Sequence, residues 1–159
     1  MRPRASECYR GRTPDIVIYN RKSEQPPFTR PETVRKKILI IDDDAALRDV
    51  IKTVLSPVYK LKEAGTKAEG LALLPKFKPD LVILDVMLET KNSGFEAARE
   101  IKADPRFRNV KILMMTSIDQ EAGIDYKSEA GDAAWLPVDE YAVKPVDPRN
   151  LLARVRGLL

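Results

Sequence analysis

The sequence predicts an α/β domain of the doubly wound kind, a five-stranded parallel sheet with helices on both faces. Three observations carry that prediction. Short continuous apolar runs recur, most clearly "ILII" at 38–41 and "LVILDV" at 81–86, and such runs suit strands buried on both sides. Segments with helical spacing alternate with them, so that strand and helix succeed one another five times. No internal repeat accompanies the alternation.

The elements follow in order. After the 38–41 strand, Asp44 is placed as a helix N-cap, and Leu47, Val50, Ile51, Val54 and Leu55 keep helical spacing as far as Pro57. "YKLKEA" at 59–64 is a weaker strand. Residues 67–75 put Ala68, Leu71, Ala72 and Leu74 on one helical face before "KPD" turns the chain. "LVILDV" is the third strand, Gly94 to Ala103 a helix, and "VKILMMT" at 110–116 the fourth strand. Gln120 to Ala130 reads as a further helix and "YAV" at 141–143 as the last strand. Pro148 stands where the first turn of a final helix tolerates proline.

Composition narrows the chemistry. The 159 residues are enough for one domain, and 43% are hydrophobic, enough for a core. No apolar run approaches the ~18–20 residues needed to cross a bilayer, and no signal-peptide pattern follows the amino terminus, so a cytoplasmic location without membrane contact is expected. There is one cysteine, Cys8, and no histidine, which excludes an internal disulfide, a Cys/His metal site and any histidine base. The net charge of +4 is unevenly placed. Residues 1–37 hold ten Lys/Arg against four Asp/Glu, whereas 38–159 hold 18 against 20. The basic character therefore belongs to the leading segment. Residues 1–36, rich in proline and arginine, read as a disordered tail, and 37–159 as the domain.

In open α/β sheets ligands bind outside the carboxyl ends of the strands. The first strand runs into Asp42, Asp43 and Asp44; the third ends at Asp85, the fourth at Thr116 and Ser117, the fifth at Lys144. Three adjacent carboxylates repel, and without nitrogen or sulfur donors nearby such a cluster favours a hard, oxygen-preferring cation such as Mg²⁺. Asp42 and Asp43 are the expected ligands. Lys144 and the Thr116 hydroxyl suit the oxygens of a phosphoryl group. Asp85, alone at the end of a central strand, is the candidate to attack phosphorus and become an acyl phosphate. Taken singly, each feature has a plainer explanation: an acidic triplet is more often a cap and loop, a Lys-Pro pair a turn, Tyr141 and Trp135 packing residues. Four complementary groups ending four strands of one sheet outweigh those explanations.

The motifs "IIDDD", "LVILDVML", "SGFE", "MMTS" and "YAVKPVDP" together resemble the receiver domain of two-component response regulators, over residues 37–159. The resemblance implies a flavodoxin-like strand order 2-1-3-4-5. It implies that Asp43, Asp85 and the backbone carbonyl of Met87 ligate Mg²⁺, with Asp42 acting mostly through water. It makes Asp85 the phosphoacceptor, Thr116 and Lys144 the phosphoryl-oxygen contacts, and Thr116 with Tyr141 a switch that alters the face formed by the 120–130 helix, the last strand and the last helix. The implied partners are a sensor histidine kinase or histidine phosphotransfer protein and a downstream protein. The chain would be a phosphoacceptor assisting its own phosphorylation and dephosphorylation rather than an enzyme, and a monomer or weak dimer. Because the final helix reaches Leu159, a single-domain regulator without a DNA-binding output domain is expected.

Two departures stand out. Glu89 occupies a position where the family often has proline, and reads as a solvated loop residue or an added influence on the metal. "EAGDAAWLPVDEYAVKP" at 129–145 carries about eight more residues than is usual and is similar to a segment of some free-standing receivers. Two alternatives remain: a pseudo-receiver working without phosphorylation, and a Mg²⁺-dependent aspartyl phosphohydrolase. The second is weakened by Met87, which stands where those enzymes place an acid. An NTPase is disfavoured by the absence of a GxxxxGK[ST] loop.

Overall fold

Four consecutive branched aliphatic side chains, as at 38–41, bury well only where both faces of a strand are covered. In the computed structural model, which describes residues 35–90, 93–117 and 137–159, they form β1 (Lys37–Ile41). The remaining elements are α1 (Ala45–Leu55), β2 (Lys60–Ala64), α2 (Lys67–Phe77), β3 (Leu81–Asp85), α3 (Ser93–Ala103), β4 (Lys111–Ser117), β5 (Glu140–Lys144) and α4 (Pro148–Leu158). All four strand pairings are parallel, in the order β2-β1-β3-β4-β5, as the resemblance implied. The strand order reverses between β1 and β3, so their carboxyl ends flank the switch point where ligands enter such sheets.

Alternation along the strands divides the core in two. Leu39 and Ile41, Val82 and Leu84, and Ile112 and Met114 face α2 and α3, packing with Leu74, Phe77, Ala97, Ala98 and Ile101. Ile38 and Ile40, Leu81 and Ile83, and Leu113 and Met115 face α1 and α4, packing with Ile51, Leu55, Leu151 and Val155. Each such Leu or Ile, fully withdrawn from water, contributes ~1.5–3 kcal/mol. β2 is an edge strand whose Lys60, Lys62 and Glu63 are exposed, which explains its weak signal and blunts the edge against further pairing.

The helix starts are built by local side chains. Asp44 caps α1 by accepting from the amides of Ala46 and Leu47, Thr66 caps α2 from Glu69, and Asp147 caps α4 from Arg149 and Asn150, with Pro148 in the first turn. α2 runs two residues beyond the predicted end. Pro75 forgoes one hydrogen bond near the terminus, which a last turn tolerates, and the helix stops at Lys78, whose φ of 51° is left-handed and whose amide reaches the Leu74 carbonyl. Gly70 lets this helix sit close to β1: a Cβ there would lie 2.4 Å from Ile41 Cδ1. The predicted 120–130 helix, Trp135 and nearly all of the predicted tail lie outside the described residues.

Candidate functional site at the carboxyl edge of the sheet

The three adjacent aspartates have separate environments. Asp42 follows β1 directly, its amide continuing the ladder to the Ala64 carbonyl at 3.2 Å. Its side chain turns inward and is 1% exposed; Oδ1 accepts from the Asp44 amide at 2.9 Å and Oδ2 from Lys144 Nζ at 2.9 Å. Asp43 is exposed. Asp44 leaves the site altogether and caps α1.

Asp85 is the last residue of β3 and is 4% exposed. Its Oδ1 accepts from the Met87 amide at 3.3 Å, and its Oδ2 lies 3.0 Å from Lys144 Nζ. Lys144 closes β5, two strands away, and so bridges the carboxylates of β1 and β3. Burial is the largest influence on Asp85 and raises its pKa above the ordinary carboxylate value; the charge of Asp42 adds to this and Lys144 opposes it. Burial also presses Lys144 toward the neutral amine, but the hydrogen bonds and charges of Asp42 and Asp85 outweigh it and hold the ammonium above its ordinary value.

The other candidates group around this centre. Thr116 is buried one residue past Met115, the register partner of Asp85, and its hydroxyl donates to the Ser117 carbonyl at 3.4 Å. Met87 is 45% exposed as a residue, and its amide donates to Asp85. Tyr141 pairs in register with Met114, is half-buried, and packs against the core on the α2 and α3 side; Arg154 of α4 donates to its carbonyl at 3.0 Å.

The loop after β3 is held tightly. Gly94 presses the start of α3 onto it: a Cβ would lie 2.0 Å from the Asp85 carbonyl oxygen and 2.7 Å from Val86 Cα, so any side chain there displaces the main chain that carries Asp85. The Gly94 amide donates to Val86 O at 3.1 Å, and the Thr90 and Ser93 hydroxyls are 2.6 Å apart. Glu89 is exposed, as its solvated reading requires, and it also has a role in this loop. Its Oε1 accepts from the Lys67 amide at 2.9 Å, which ties the loop to the first turn of α2. Arg48, which sequence reasoning passed over, donates to the Asp42 carbonyl. Its visible signal was a cation in the first turn of the helix that follows the acidic triplet.

Asp42, Asp43 and Asp85 each place a carboxylate oxygen within 4.8 Å of the others. An all-oxygen set of this kind fits Mg²⁺, which takes one or two carboxylates and keeps waters in its remaining positions.

Comparison with known proteins places these residues in context. The family model for the response regulator receiver domain matches residues 38–156. The DNA-binding dual master transcriptional regulator RpaA of Synechocystis is 37% identical over 124 residues, covering 77% of this chain and 48% of that protein. The phosphate regulon transcriptional regulatory protein PhoB of Pseudomonas aeruginosa is 36% identical over 127 residues, 79% of this chain and 52% of that protein. Among solved structures, the chemotaxis response regulator CheY4 of Vibrio cholerae is similar at a TM-score of 0.66 and 27% identity, covering 78% of this chain and 98% of that one.

The chain thus spans about half the length of the curated relatives it matches. These relatives overturn the expectation that a DNA-binding output domain is absent, since RpaA is by name a DNA-binding regulator. The physical reason is that a strand-and-helix pattern with its acidic site describes the receiver domain alone and carries no information about what another length of chain does. No helix among the described residues is long and apolar enough to cross a membrane.

Proposed function

This chain belongs to the response-regulator receiver family, and we propose that it accepts a phosphoryl group on Asp85 from a phosphohistidine donor, a sensor kinase or a phosphotransfer protein. The observation that carries this reading is the meeting of Asp85 with Lys144 on one side and Asp42 and Asp43 on the other. A carboxylate oxygen of Asp85 attacks phosphorus in line; the new P–O bond forms as the P–N bond breaks, and the donor imidazole leaves with the electron pair. Lys144, already charged and within 3.0 Å of the attacking carboxylate, is placed to follow the phosphoryl oxygens as they arrive. Asp42, Asp43, Asp85 and the Met87 carbonyl would hold Mg²⁺, which when bound neutralises the charge that develops on those oxygens. Thr116 contacts a phosphoryl oxygen, and its movement makes room for Tyr141 to turn, altering the β5 and α4 face. The chain assists its own phosphorylation and dephosphorylation and turns over no separate substrate.

The test is intact-protein mass after incubation with Mg²⁺ and acetyl phosphate. One added phosphoryl group, lost in Asp85→Asn and in chelator, is the expected result. No gain in the wild type, together with no binding of beryllofluoride, would leave the pseudo-receiver in its place.

A further inference from the structure

Arg48 stands in the first turn of α1, and the chemistry above makes no use of it. Its side chain is 17% exposed, and Nη1 donates to the main-chain carbonyl of Asp42 at 2.6 Å. On its other side Nε lies 3.5 Å from Glu63 Oε2 on β2, and Glu63 also holds Lys52 Nζ at 2.9 Å. The approach to Glu63 is an ion pair without a hydrogen bond, Nε being buried without a partner, so the hydrogen bond that the guanidinium makes is the one that reaches over the acidic loop. A planar guanidinium is pre-organised and loses little freedom for each bond it makes, and a charge-assisted bond to a carbonyl is roughly twice as strong as a neutral one.

The carbonyl it holds belongs to the peptide joining Asp42 to Asp43. Asp42 is buried and fixed through both oxygens, but Asp43 is exposed, so the direction of its carboxylate follows from the main chain rather than from packing. Mg²⁺ demands near-ideal octahedral geometry, and a modest rotation of that peptide would swing the Asp43 carboxylate off line.

We propose that Arg48 is a positioning residue for the metal centre, fixing the Asp42–Asp43 peptide and with it the aim of Asp43. The inference rests on the receiver reading given above. A residue serving only to join α1 to β2 would act through Glu63 alone; the bond to the Asp42 carbonyl is what gives Arg48 a role in the site.

The test is Mg²⁺ affinity of the full chain by calorimetric titration, beside thermal unfolding in chelator. Arg48→Met, which keeps the apolar stem, is expected to weaken Mg²⁺ binding about tenfold, as loss of an outer-shell partner does. Arg48→Lys, which retains a donor, should recover most of that loss. Glu63→Gln, which leaves the carbonyl bond in place, should stay within about twofold of wild type even where it lowers the melting temperature. Unchanged affinity in Arg48→Met overturns the proposal, and so does an equal loss in Glu63→Gln or no recovery in Arg48→Lys. If Arg48→Met does not fold, the Lys and Gln variants decide by the same criteria. A wild type that binds no Mg²⁺ would count against the receiver reading itself, which separates the two failures.

Discussion

Asp85 is a carboxylate kept at a cost. Burial raises its pKa above the ordinary carboxylate value, so its ionised form is disfavoured in the folded chain where the unfolded chain ionises freely. The sign follows: folding is favoured by this group at acid pH and disfavoured above its folded pKa. Asp85→Asn should therefore stabilise the metal-free protein at neutral pH, by about 1 kcal/mol, while abolishing phosphorylation. Denaturant melts in chelator would show it, and a less stable variant would mean that Lys144 outweighs burial. Met87 sits two residues past Asp85, is exposed, and has no side-chain N–H or O–H to orient water. Met87→Asn is expected to hasten loss of the acyl phosphate severalfold, short of the ~10²-fold of a positioned general base; following the mass of the labelled protein over time measures it. At this scale the sequence was informative where chemistry is concentrated. Asp42, Asp85 and Lys144 could be placed together because each ends a strand. The contacts of Arg48 and Glu89 could not, because each is made to a main-chain atom, the Asp42 carbonyl or the Lys67 amide, and main-chain partners leave no mark on composition.

Elements were legible to the extent that their residues are doubly buried. β1, β3 and β4 announce themselves as apolar runs; β2, with three of its five residues exposed, does not, and its pairing to β1 had to be supplied by topology. The end of α2 was misplaced because Pro75 suggests a stop that the left-handed Lys78 delivers three residues later. The approach to β5 depends on Asp139, which nothing in the local pattern singles out. Burial opposes its ionisation, but bonds from Lys111 at 2.8 Å, the Ile112 amide at 2.9 Å and Lys102 at 3.0 Å outweigh it and hold the carboxyl below the ordinary value. The strand is thereby clamped to the start of β4 and the end of α3. Because the folded pKa is lowered, the stabilisation is complete above the unfolded value near 3.8 and disappears as pH falls through the folded one. Asp139→Asn should cost ~1–3 kcal/mol at pH 7 and flatten the acid limb of the stability profile. Equal acid sensitivity in mutant and wild type would remove Asp139 from that role.

For the molecule as a whole, parallel topology converts distance in sequence into proximity, since residues 42, 85 and 144 meet only because every strand points the same way. That much could be read in advance; what lies beyond such a domain could not, and relatives of which this chain spans about half the length supplied the correction. Binding at one edge of the sheet should stabilise the entire fold by mass action. Mg²⁺ at 100 times its dissociation constant is expected to add about 2.7 kcal/mol, an increment that chelator removes and Asp85→Asn diminishes. Counting charge at that edge gives a last consequence of the Lys144 bridge. With all groups ionised, the three carboxylates outnumber the Lys144 ammonium by two, and the Arg48 guanidinium on the Asp42 carbonyl offsets part of that excess. A divalent cation would remove what negative charge is left, so a phosphoryl group arriving second would meet less repulsion than one arriving first. On the proposed function the cation should therefore load before the phosphoryl group, and the expected kinetic signature is labelling of Asp85 that falls steeply in chelator.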